Sequence, residues 1–127
     1  MTVLIVGGRG QGKRAVAERM FGLTEESVLD GAVCEAADLS DASAIDGLHL
    51  LTKRLLQQDG SLDGLLPLLR GKIVICDELG CGVVPVERSL EDWREYTGRL
   101  CCDLAAEADV VLRVTAGIPQ VIKGNLE

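Results

Sequence analysis

The chain has 127 residues, enough for one domain that buries roughly two thirds of the surface its unfolded form would expose. Hydrophobic residues make up 47% of it but there is only one Phe, one Tyr and one Trp, so Val, Leu, Ile and Ala must fill the core, a composition suited to buried parallel strands covered by helices. The formal net charge is −7 with no cluster of Lys and Arg, which argues against nucleic acid as a partner, because binding a phosphate backbone needs a basic face.

The first apolar run, Val3 to Val6, leads directly into Gly7-Gly8-Arg9-Gly10-Gln11-Gly12-Lys13-Arg14. A strand entering a glycine-rich turn and then a lysine is the build of a phosphate-binding loop. Backbone N–H groups point inward to hold phosphate oxygens, and side chains would block that approach. Gly7, Gly12 and Lys13 occupy the required positions of the pattern G-x-x-x-x-G-K-[ST], while Arg14 occupies the position of the hydroxyl that normally ligates Mg²⁺. All eight residues from Gly7 to Arg14 are therefore candidates to hold a nucleotide, GTP or ATP, with Lys13 as the charge on the outer phosphates. The bland alternative is an ordinary turn between a strand and a helix.

Lys13 to Phe21 reads as a short helix ending at Gly22, with its N-terminus facing the phosphates. Thr24 to Ser27 is turn-like, and Ala32 to Ala36 reads as a strand. From Ser40 or Asp41 to about Gln58, Ile45, Leu48, Leu51 and Leu55 recur at spacings of three and four and predict a helix. Leu62 to Leu69, with Gly64 and Pro67, reads as an irregular or short helical connection.

Ile73 to Cys76 is an apolar strand followed at once by Asp77 and Glu78. Carboxylates at the carboxyl edge of a parallel sheet lie where ligands bind, and they can hold Mg²⁺ directly or through water. Capping of the next element is the other reading of these acids. The loop Leu79 to Pro85 is glycine-spaced, and residues 88 to 107 form the clearest helix, with Leu90, Trp93, Thr97, Leu100, Cys101 and Leu104 on one face and Trp93 as a packing residue. Val110 to Val114 is a further strand, and Ala116 to Pro119 turns the chain into a last segment, Gln120 to Lys123. Strands alternating with helices predict an α/β fold: three layers, of the phosphate-loop NTPase kind, with a mainly parallel sheet over residues 1 to 127.

The five cysteines follow no zinc-site spacing and are read as reduced, mostly buried thiols. The short first apolar run is no signal peptide, and no apolar run approaches the roughly 20 residues that cross a bilayer, so the expectation is a cytoplasmic protein without a membrane partner.

Two stretches carry a resemblance. The N-terminal Val-Gly-Gly-Arg-Gly-Gln-Gly-Lys is one. The other runs from Cys76-Asp77-Glu78-Leu79-Gly80-Cys81-Gly82-Val83-Val84-Pro85 through Arg94, Gly98, Arg99 and Ala105 to Ala116-Gly117-Ile118-Pro119 and Lys123. Together they resemble the adenosylcobinamide kinase / adenosylcobinamide-phosphate guanylyltransferase family of cobalamin biosynthesis. The resemblance implies a phosphate-loop fold, GTP or ATP as donor, a corrinoid alcohol as acceptor, and a homo-oligomer, commonly a trimer. It also implies that Gly7, Gly8, Gly12 and Lys13 hold nucleotide and that Glu78 lies near the reacting groups, so that Lys13 and Glu78 are the catalytic candidates and Glu78 and Asp77 the metal candidates. The stretch between the loop helix and Asp77 is short for the family, whose guanylylated histidine and second acidic strand belong there. The single histidine, His49, lies on the predicted helix and reads from its surroundings as a packed or half-exposed residue; Arg14 and the short middle favour the alternative function, a non-catalytic nucleotide-binding or regulatory subunit.

Overall fold

A computed structural model describes residues 1–79 and 88–126. The central strand β1 (Val3–Gly7) alternates its side chains between two cores, as period-2 geometry requires. Val3 and Ile5 face Val16 and Ala17 of α1 (Lys13–Phe21), whereas Leu4 faces Leu48 and Leu51 of α2 (Leu48–Asp59), Leu69 of α3 (Leu65–Leu69) and Leu104 of α4 (Arg88–Glu107). Helices therefore cover both faces of one sheet, giving the three layers expected.

The sheet has the order β2-β3-β4-β1-β5-β6, where β2 is Val28–Asp30, β3 Ala44–Asp46, β4 Ile73–Asp77, β5 Val110–Thr115 and β6 Ile118–Lys123. The first five strands are parallel and β6 runs antiparallel to β5. The carboxyl ends of β2, β3, β4 and β1 thus share one edge, where β2, β3 and β4 end on Asp30, Asp46 and Asp77.

Two expectations are corrected. The helix expected from Ser40 is a strand followed by a helix. Ala44 and Ile45 pair with Val28 and Leu29 on one side and with Ile73 and Val74 on the other, and Gly47, at φ 87°, turns the chain before α2 begins. Ile45, Leu48 and Leu51 are all fully buried in the same core, so their spacing recorded a shared destination and not a shared helix. The strand expected at Ala32 to Ala36 lies earlier, at Val28–Asp30. It is stopped there by Asp30, whose carboxylate accepts the Ala32 amide at 2.9 Å and whose carbonyl accepts those of Val33 and Cys34 at 3.1 and 2.9 Å. The stretch between α1 and β4 therefore contains two short strands, β2 and β3, each ending on an aspartate.

Cys34 and Cys76 are buried, Cys101 is half-buried and Cys102 exposed, all as free thiols; Cys81 and the glycine-spaced loop after Leu79 lie outside the described residues. β5 and β6 are joined by Ala116 and Gly117, both at positive φ (50° and 77°), the requirement of a primed two-residue hairpin turn. An alanine there costs about 1 kcal/mol. Ala116→Asn, which tolerates the left-handed region and makes the favoured Asn-Gly pair, is expected to raise stability by about 0.5–1 kcal/mol. A higher urea midpoint at unchanged m-value checks it.

Candidate functional site

The loop between β1 and α1 is closed by its own lysine. The Lys13 ammonium donates to the Gly8 carbonyl at 2.8 Å and pairs with Asp77 Oδ1 at 2.7 Å, and the side chain is only 7% exposed. The register makes this possible, since Gly7 stands opposite Asp77 across the β1–β4 pair. Gly7 must be a glycine, because a Cβ there would lie 2.5 Å from the Val114 carbonyl oxygen of β5. Gly12, at φ 89°, is the N-cap of α1, and its carbonyl starts the helix by accepting the Val16 amide at 3.1 Å. Gln11 fixes the loop from the other side: its Oε1 accepts the Ala116 amide and its carbonyl accepts the Gly117 amide, both at 2.7 Å.

His49, in the first turn of α2, meets Asp77 twice. Its Nδ1 accepts the Asp77 amide at 3.2 Å, and its Nε2 lies 3.3 Å from Asp77 Oδ2. With Nδ1 an acceptor, the neutral ring carries its proton on Nε2 and points it at the carboxylate. Burial pushes the imidazole below its ordinary value; the Asp77 carboxylate pulls the other way, and the Lys13 ammonium reinforces the drop. The start of α2 is held by α4, whose Trp93 indole donates to the His49 carbonyl at 2.8 Å and to Thr52 Oγ1 at 3.2 Å. Thr52 in turn shares a buried 2.7 Å hydrogen bond with Thr97.

Arg14 turns its guanidinium to Asp46 at the end of β3, with NH1 3.2 Å from Oδ2, while its Nε donates to Glu18 Oε1 at 2.8 Å. Glu78 sits beside the loop, its amide donating to the Gly7 carbonyl at 2.9 Å and its carboxylate gripped by Arg113 of β5 at 2.9 and 3.2 Å. A cavity of about 640 Å³ opens over this edge, lined among others by Arg9, Asp30, Asp46, His49, Asp77 and Trp93. Lys13, Arg14, Asp77 and Glu78 are thus brought together as the sequence predicted. Asp46 and Asp30 were missed, and His49 was undervalued; the Asp46-Gly47 pair directly after Ala44 and Ile45 is the local signal that could have found the first.

The residues at this edge do not suit a divalent cation of the usual phosphate-loop kind. The hydroxyl ligand is replaced by a guanidinium that has no lone pair to give, and Asp77, Asp46 and Glu78 each face a protein cation. No group of three metal-ligating side chains occurs among the described residues.

The sequence profile described as cobinamide kinase / cobinamide phosphate guanyltransferase matches residues 25–122. The chain belongs to this family. The match begins beyond α1, so the family membership and the geometry of the loop at residues 7 to 14 are independent observations. The matched span includes Asp46, His49, Asp77, Glu78 and Arg113. No curated protein matches the chain. Among solved structures, the P4 protein from bacteriophage phi6 in complex with ADP is 17% identical over 94% of this chain and 52% of that one, with a TM-score of 0.41, a likeness too slight to argue from. The chain spans about half the length of that protein. Among the described residues no helix is long and apolar enough to cross a membrane.

Because burial lowers the proton affinity of His49 in the folded chain, the unfolded chain binds more proton than the folded one as the pH falls through 6.5, the ordinary value of the group. Stability is expected to rise with pH through that window and to be lost below it. His49→Gln should flatten this part of the profile, as read from urea midpoints across the pH range. An unchanged slope would remove His49 as its source.

Proposed function

We propose that the chain binds the triphosphate of GTP or ATP on residues 7 to 14 and transfers the terminal phosphoryl group to the hydroxyl of adenosylcobinamide. The observation that carries this reading is the Lys13 ammonium, fixed between Gly8 and Asp77 at the adjoining carboxyl ends of β1 and β4, in a chain of the cobinamide kinase family. Backbone N–H groups of the loop hold phosphate oxygens, and Lys13 neutralises charge that develops on the transferred group. The acceptor oxygen bonds to the terminal phosphorus as the bridging P–O bond breaks. The hydroxyl proton passes to a carboxylate at the mouth of the loop, Glu78 or Asp77. Nucleoside diphosphate and phosphorylated cobinamide result.

The guanylyl half of the family's chemistry has weaker support. A nucleophilic imidazole needs a free lone pair aimed at phosphorus, whereas both ring nitrogens of His49 face Asp77. A second reading, a nucleotide-binding subunit without turnover, is favoured by one observation, the Arg14–Asp46 pair where a metal-ligating hydroxyl is usual.

One experiment separates the two. Purified protein is incubated with labelled GTP or ATP and adenosylcobinamide, with and without Mg²⁺. Phosphorylated corrinoid is the expected product, and bound nucleotide without product would establish the subunit instead. In calorimetry, Lys13→Ala should weaken nucleotide binding at least about a hundredfold, since it removes a charge-assisted contact and leaves Asp77 facing the phosphates. Binding as tight as the parent's would move the site elsewhere.

A further inference from the structure

We infer that Arg14, anchored by Asp46, takes over the charge-neutralising role of the divalent cation, so that the nucleotide binds as the metal-free polyphosphate. This rests on the proposed nucleotide site at residues 7 to 14 and concerns what completes it. Arg14 follows Lys13 directly in the first turn of α1, so its backbone lies at the helix end that faces the phosphates. A guanidinium cannot ligate a metal and repels one, but its planar fork of donors matches two phosphate oxygens at once.

The side chain is also held in place. Asp46 takes NH1 from the strand edge and Glu18 takes Nε from the next turn of the helix, which leaves the rest of the fork for a ligand on a side chain that remains 33% exposed. Asp46 belongs to β3, beside β4, so Arg14 and Lys13 are each paired with the terminal acid of one of two neighbouring strands. In the usual arrangement such strand-end acids are available to a metal or its waters. Here Asp77 answers Lys13 and His49, Asp46 answers Arg14, and Glu78 answers Arg113. A cation entering among them would have to break these pairs and approach two fixed positive charges. A polyphosphate on the loop at residues 7 to 14 has Lys13 and Arg14 already held in position at the start of α1.

The test is calorimetric titration of the full chain with ATP and with GTP, once in excess EDTA and once in millimolar Mg²⁺. The dissociation constants are expected to agree within about threefold, and that of Arg14→Ser in EDTA to be weaker by at least about tenfold, recovering when Mg²⁺ is added because the hydroxyl restores a metal ligand. Arg14→Lys keeps the charge without the fork and should remain metal-independent at reduced affinity. If the parent binds at least tenfold more tightly with Mg²⁺ than in EDTA, the inference falls while the nucleotide site stands. An Arg14→Ser variant that binds in EDTA as tightly as the parent also overturns it. Absence of binding by the parent under both conditions removes the nucleotide site itself, and the inference with it.

Discussion

The ion pair between Lys13 and Asp77 is the constraint on which the working edge of this molecule depends. An ammonium buried to 7% exposure is tolerated only with its charge answered and its protons bonded, and here a carboxylate 2.7 Å away and a carbonyl at 2.8 Å do both. For that, β1 and β4 must be neighbours and in register at Gly7 and Asp77, and Gly7 must lack a side chain so that β5 can close in from the other side. His49 is part of the same requirement. Its ring holds both the amide and the second carboxylate oxygen of Asp77, which fixes the acid that fixes the lysine.

A net charge of −7 does not oppose the proposed anion site outright, because two of the three strand-end acids, Asp46 and Asp77, are individually matched by Arg14 and Lys13. Asp77, Asp46 and Glu78 are each paired with a cation, Lys13, Arg14 and Arg113, while Asp30 is bonded to the Ala32 amide. A basic face spread over the surface is unnecessary for a ligand small enough to sit within a few ångströms of these groups, where screening is weak.

Much of this was legible in the sequence. The strand Val3 to Val6, the loop, the helix from Lys13 to Phe21, the apolar run ending in Asp77 and the long helix from residue 88 all stand where local pattern put them, because each is bounded by a glycine, an acid or a sustained period. What was not legible depended on partners far along the chain. Ile45 belongs to a strand three residues long, too short to show alternation, and its spacing to Leu48 and Leu51 imitated a helix. Asp46 went unread as a consequence, and with it the partner of Arg14, 32 residues away. His49 looked like a packing residue because its partner, Asp77, is 28 residues distant. Trp93 reads as packing from its helical face, but neither its place in the wall of the cavity nor its hydrogen bond to the His49 carbonyl, which helps seat the start of α2, can be read from that face.

The hairpin at Ala116 and Gly117 ties these observations to the molecule's motions. The loop at residues 7 to 14 is pinned through Gln11 to the tip joining β5 and β6, and Lys123 at the end of β6 is itself fastened to the carbonyls of Ala105 and Ala106 at the end of α4, at 3.0 and 2.8 Å. β6 pairs on one side only and is exposed along most of its length, which places it among the first segments to open. Local unfolding of that margin would release the anchor of the loop while the β1–β4 pair remained intact. The loop's order is thus tied, through Gln11 and the hairpin tip, to an exposed edge strand of the sheet.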